Sequence, residues 1–266
     1  MNKIFCKWLL ISLPILLPAT LQADDFGTWM EAGLTKDLGK NFSLSSEVSF
    51  RSNNNLKSVE RWDWSLGVGY KVCPYLKLSA NYVFLYGYSP DKWKEHYKKD
   101  IETYENWDGY NVTKSYWNTR NRFNLEATGS IDIGRFTLSL RERYQYTRTN
   151  SATEIKDRYR FQNIGEKQDL VYRETFEDFQ KPKTKQLLRS RLQVEYNIRH
   201  CKVTPYVSFE LFNKLDDHFE IDSKRFIVGG EYKLTKKHRL SLSYVFEKEN
   251  GASNLHVIDL SYKFKF

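Results

Sequence analysis

The sequence predicts an all-β protein, a transmembrane antiparallel up-and-down β-barrel of ten to twelve strands, with twelve favoured. Three observations predict it. From residue 26 onward, apolar and aromatic residues alternate with small or charged ones over stretches of about ten residues, again and again. The connections between these stretches alternate between short and long, and the chain closes on Leu260, Tyr262, Phe264 and Phe266 at every second position.

The elements follow in order. An apolar run over 4–19 stands behind Lys3 and Lys7, is broken by Pro14, and is followed by Leu21-Gln22-Ala23, a small residue where a signal peptidase cuts. Residues 1–23 read as a signal peptide and 24–266 as an outer-membrane β-barrel; a cut after Ala19 also fits. A first strand covers 26–36. In 42–51, Phe42, Leu44, Val48 and Phe50 share one face while Ser43, Ser45, Glu47, Ser49 and Arg51 share the other. Residues 61–71 set Trp62, Trp64, Leu66, Val68 and Tyr70 against Arg61, Asp63, Ser65, Gly67, Gly69 and Lys71. Further strands are expected at 76–86, 118–132, 135–148, 185–198, 203–213, 224–234, 238–248 and 255–266. Five connections are short, whereas 87–117 and 149–184 are long and are expected to be extracellular loops.

In hydrocarbon every N–H and C=O must pair with a neighbouring strand, so only a closed sheet can span the bilayer, with its apolar faces outward. Trp62, Trp64, Tyr86, Tyr144 and Tyr146 then form one interfacial girdle at the long-loop rim. Tyr70, Tyr196, Tyr232 and Phe266 form the other. The count of eleven strands conflicts with the even numbers usual in bacterial barrels. It places the start of the first strand at the long-loop rim, which is why twelve is favoured.

Composition excludes several alternatives. At 16% aromatic and 28% charged, the 266-residue chain is neither low-complexity nor disordered. Its three cysteines, Cys6, Cys73 and Cys201, are too few for a disulfide scaffold or a Cys-based zinc site. Cys73 and Cys201 fall on short turns about four strands apart, beyond disulfide reach. Removing residues 1–23 takes away two positive charges and lowers the net charge from +9 to +7. For an exported protein this moderate excess points to acidic lipid or glycan partners rather than nucleic acid.

The segments Asp25-Phe26-Gly27-Thr28-Trp29, the run 61–70 and Leu140-Arg141-Glu142-Arg143-Tyr144-Gln145-Tyr146 resemble a family of uncharacterised Bacteroidetes-type outer-membrane β-barrels, a domain of unknown function. The likeness extends through 188–196 to the closing 260–266. It implies an outer-membrane location and a barrel fold, and it carries over no catalytic residue.

Inward-facing arginines concentrate on three consecutive strands: Arg120 and Arg122, Arg141 and Arg143, Arg189 and Arg191. Such guanidiniums bind phosphate, carboxylate or sulfated sugars through paired hydrogen bonds. The competing reading is a structural ion-pair network, since Glu47, Asp63, Glu126, Glu195, Glu210, Glu231 and Glu247 face inward too and narrow barrels fill with side chains. Glu142 breaks the alternation, and a local bulge returning it to the lumen is expected. Trp93, Trp107 and Trp117 are candidates for ligand contact in the loops, set against packing among themselves. Asp216, Asp217 and Asp222 are weak metal candidates, because the Gly-punctuated spacing of a calcium loop is missing. No cofactor is expected.

The function expected is a non-enzymatic outer-membrane barrel, a narrow anion-preferring channel or surface-binding protein with an Arg-rich lumen. The alternative is a membrane-embedded lipid-modifying hydrolase of the phospholipase or lipid A deacylase type, which needs a Ser and a His in register. The partners expected are outer-membrane lipids and lipopolysaccharide, the barrel assembly machinery, and an anionic solute or glycan.

Overall fold

The computed structural model describes residues 25–98, 107–164, 167–216, 218–251 and 253–266. The expected signal peptide and Asp217 lie outside these residues. The described chain forms fifteen strands in two units: its residues within 25–85, 120–148 and 184–266 make the first, and those within 86–119 and 149–183 make the second.

The first unit is built from β1 (Asp25–Gly39), β2 (Phe42–Asn53), β3 (Ser58–Cys73), β4 (Leu76–Ser89), β7 (Tyr116–Ile133), β8 (Phe136–Thr149), β11 (Lys183–Tyr196), β12 (Val203–Lys214), β13 (Glu220–Lys233), β14 (His238–Glu249) and β15 (Leu255–Lys265). They close into an eleven-stranded barrel in the order β1-β15-β14-β13-β12-β11-β8-β7-β4-β3-β2. Eleven lies within the expected range, and the preference for twelve is corrected. Among the described residues no extra strand restores an even number, because β1 closes the ring by pairing in parallel with β15, Asp25 opposite Leu255 through Thr35 opposite Lys265. Every other barrel pair with a described register is antiparallel.

The alternation in sequence becomes two faces in space. Met30, Val48, Trp62, Trp64, Leu78, Phe84, Leu125, Leu140 and Leu260 are exposed on the outside. Trp29, Asp63, Gln145, Glu210 and Arg225 are buried on the inside. Aromatic pairs gather at the strand ends, Phe42 on Tyr70 at 4.7 Å and Phe136 on Tyr196 at 4.9 Å toward the short turns. Phe50 packs against Trp62 in a tilted pair at 4.6 Å toward the other rim. Outward rings also find partners for their polar tips, as where the Tyr144 hydroxyl donates to Gln186 at 2.6 Å.

Turn chemistry fixes the short rim. Lys40 and Asn41 take left-handed φ values of 46° and 71° in the β1–β2 turn, and Gly134 (φ 64°) reverses the chain between β7 and β8. At the opposite rim Asn54, Asn55 and Leu56 are all left-handed. Two bonds to the start of β1 hold that loop: Asn55 N–H donates to Asp25 Oδ1 at 3.0 Å and Leu56 N–H to the Phe26 carbonyl at 3.3 Å.

The segments 87–117 and 149–184, expected as long extracellular loops, carry the strands of the second unit. β5 (Lys92–Tyr97), β6 (Trp107–Thr113), β9 (Ala152–Ile164) and β10 (Lys167–Gln180) pair in the order β10-β9-β6-β5. Gly109 (φ 151°) sits where a Cβ would meet the Tyr159 carbonyl oxygen at 2.0 Å, so only glycine lets β6 approach β9 there.

Candidate functional site

The barrel encloses a cavity of about 1090 Å³ lined by ten cationic and eleven acidic side chains. Of the six arginines singled out from sequence, Arg122, Arg141, Arg143, Arg189 and Arg191 line it, and Arg120 does not.

Most of these charges are paired. Glu210 of β12, 1% exposed, is the centre of the largest group. It accepts from Arg141 of β8 at 2.6 Å and from Arg189 of β11 through both oxygens at 3.1 Å. Arg225 of β13 approaches it to 3.6 Å and donates to Glu247 of β14 at 2.7 Å. Phe212 lies under Arg189 and Arg225, with guanidinium carbons 4.4 and 4.7 Å from the ring. Arg143 pairs with Glu126 at 2.8 Å, and Asn81 donates to the same carboxylate at 3.1 Å. The neighbouring-strand order β8-β11-β12-β13-β14 explains the assembly, since adjacent strands present inward residues a few ångströms apart.

Sequence reasoning placed Arg51 and Arg61 on the inward face without seeing their importance, and it missed Trp29 and Arg225. Trp29 of β1 is 4% exposed and lies between two guanidiniums, Arg51 at 3.9 Å and Arg225 at 4.8 Å from the ring. The signal for Arg51 and Arg61 was their shared face and similar distance from the long rim. The signal for Trp29 was only its place in the alternation of β1.

Glu142 remains outward, and the expected bulge is corrected. Arg141 and Arg143 on either side both line the cavity, so alternation in β8 is unbroken. The Glu142 carboxylate instead accepts from Ser190 Oγ of β11 at 2.7 Å. Of the metal candidates, Asp222 is held by Lys185 at 2.8 Å and Lys214 at 3.0 Å, and Asp216 accepts the Gln186 amide at 3.0 and 3.1 Å. Those oxygens serve as ion-pair and capping partners. Cys73 is a free, exposed thiol.

In the second unit the sheet carries a row of rings on one face: Trp93 on Tyr110 at 5.0 Å, Tyr110 on Tyr159 at 4.9 Å, and Trp107 on Phe161 at 5.6 Å. Trp93 is exposed. Trp117 stacks on Tyr86 at 4.6 Å. Asp157 is 2% exposed beside this row. It accepts from Thr175 at 2.8 Å and Tyr159 at 3.2 Å, and Lys114 lies 3.1 Å away. The Thr175 hydrogen bond, followed by the Lys114 ammonium, holds its carboxyl below the usual carboxylate range. A depressed folded-state value means the stabilisation is present above the ordinary Asp pKa and is lost as pH falls through the folded one. Acidifying the full-length protein through that range is therefore expected to loosen the sheet, read as a shift in tryptophan emission. Asp157→Asn should show the shifted emission at every pH.

The hydrolase alternative requires a serine beside a histidine. His96 pairs with Asp108 at 2.6 Å, His238 with the Tyr262 hydroxyl at 2.7 Å and His256 with the Tyr244 hydroxyl at 2.5 Å, and none of these partners is a serine.

A family model described as "Protein of unknown function (DUF2490)" matches residues 26–257. The chain belongs to this family. The DUF2490 chain is also similar in structure to the β-domain of the Bordetella autotransporter Brka, known from a crystal structure. The TM-score is 0.52 at 12% identity, over 86% of this chain and 85% of that one. At that identity the likeness speaks for the barrel fold. No curated protein matches the DUF2490 chain.

Proposed function

We propose that this DUF2490 protein is an integral outer-membrane barrel, exported behind residues 1–23, whose lumen is a narrow passage with a modest preference for anions. The observation that carries the reading is the extent of the cavity lining. It runs from Thr35, Gly69, Lys77 and Lys263 near the short-turn rim to Asp25, Asn54, Asn55 and Ser253 at the other. A solvent path lined by charge suits small hydrated ions. The apolar exterior and its aromatic ends suit a bilayer. Leu260, Tyr262 and Phe266, exposed on the outer face at the end of the chain, suit recognition by the barrel assembly machinery.

The preference follows from which charges are unpaired. Among the described residues, Arg122 and Arg191 form no ion pair, while Glu210, Glu126, Glu247 and Asp63 are each engaged by arginine. Lys77 and Lys263 line the cavity without an ion pair too, and so do Asp25, Glu47, Glu249 and Asp259, a counterweight that keeps the preference modest. In planar bilayers under a KCl gradient the reversal potential is expected to carry the anion sign. It should move toward zero in the double variant Arg122→Gln, Arg191→Gln. A folded protein that inserts and passes no current would overturn the reading.

A further inference from the structure

The wall formed by β2, β3 and β7 holds charge that the ion pairs described above do not absorb. Arg51 and Arg61 are direct cross-strand partners, a placement of like charges that destabilises a sheet unless something compensates it. Asp63 lies 3.1 Å from Arg61 Nε and Glu60 3.6 Å from its Nη1. Arg51 has its carboxylate neighbour, Glu31, at 4.0 Å. Arg122 bonds to the Thr147 hydroxyl at 3.1 Å, with Arg61, Asp63, Arg51 and Arg120 among the charged groups near it. Arg51, Arg61 and Arg122 all line the cavity.

The same wall presents buried polar atoms with no protein partner: Arg51 Nε, Asp63 Oδ1 and Asn124 Oδ1. One is a donor and two are acceptors, so whatever satisfies them from the cavity must be mixed in kind. A bare oxyanion answers the guanidiniums and leaves the two oxygens unmet. A neutral polyol answers the oxygens and leaves Arg122 without a counter-charge. Val83 of β4, the strand between β3 and β7, adds an apolar lining atom set to which the C–H face of a ring can lie.

We propose that this wall binds a small hydroxylated acid of the acidic-monosaccharide class. Its carboxylate or phosphate accepts hydrogen bonds from Arg122 and Arg51, and its hydroxyls donate to Asp63 Oδ1 and Asn124 Oδ1. The inference rests on the passage reading only in that the solute must reach the lumen.

Titration calorimetry on the full chain in detergent micelles tests it with four probes: D-glucuronate, glucose 6-phosphate, glucose and inorganic phosphate. The two acidic sugars are expected to bind at least about tenfold more tightly than glucose or phosphate, the worth of one good charge-assisted hydrogen bond. Whichever acid binds better identifies carboxylate or phosphate as the preferred group. Arg122→Gln should weaken both by about tenfold or more. Asn124→Leu should weaken glucuronate and leave phosphate unchanged. If Arg122→Gln fails to fold, Arg122→Lys keeps the charge and loses the planar fork, and a similar loss of affinity is expected. Phosphate binding as tightly as glucuronate, or affinity unchanged in the Arg122 variants, overturns the proposal. A protein that conducts nothing yet binds glucuronate through Arg122 refutes the passage and upholds the site.

Discussion

Replacing Glu210 with Gln is expected to cost about 3–5 kcal/mol of unfolding free energy, the usual effect of removing one partner from a buried ionic group. The carboxylate is 1% exposed and faces three guanidiniums, Arg141, Arg189 and Arg225, at 2.6, 3.1 and 3.6 Å. Its neutral replacement keeps the volume and leaves those cations with Glu247 alone, which already serves Arg225. Reversible denaturation of the protein in phospholipid vesicles measures the loss. The same change adds one unit of positive charge to the lumen, so any folded fraction should be more anion-selective than the parent. A stability change below about 1 kcal/mol would mean that solvent screens the group as it does a surface pair.

Leu125→Arg is expected to destabilise the barrel by about 2–4 kcal/mol in a bilayer, the penalty for a cation on the lipid face near mid-depth. Leu125 is 60% exposed on β7, on the same face as Phe123 at 53%, with the inward Asn124 at 5% between them. In a barrel bathed in water, exchanging an exposed leucine for arginine would be close to neutral. The measurement therefore asks what solvent touches the outside. Glu142 lies on the same face, where Ser190 bonds its carboxylate, and an acidic group facing lipid is penalised less than a basic one.

Much of this fold was legible because a strand has period two and nothing else in the chain imitates it. Trp62, Trp64, Leu66, Val68 and Tyr70 against Arg61, Asp63 and Ser65 leave one solution, and the structure adopts it. The strands of the second unit were illegible for a physical reason. On β6 and β9 the rings of Tyr110, Tyr159 and Phe161 take one face while Lys156, Arg158 and Arg160 take the other. With Lys156, Arg158 and Arg160 at every second position and polar residues around the rings, such stretches read as a charged loop.

Alternation also told which arginines face inward, but not which remain unpaired, because pairing depends on neighbours distant in sequence. Glu210 reaches Arg141 across 69 positions. The facing of Arg51 and Arg61 depends on a register that the left-handed residues 54–56 impose. The odd strand number was visible as a conflict, and the parity rule resolved it in the wrong direction.

The parallel union of first and last strands bears on how the molecule comes into being. Its register joins Asp25 to Leu255, a separation of about 230 positions, and such a distant union carries the greatest entropic charge of any in the ring. Biogenesis should therefore leave this seam until the end, with both terminal ribbons bare in the meantime. At that moment a second copy offers the same two margins, so crowding during synthesis would favour intertwined pairs over sealed monomers.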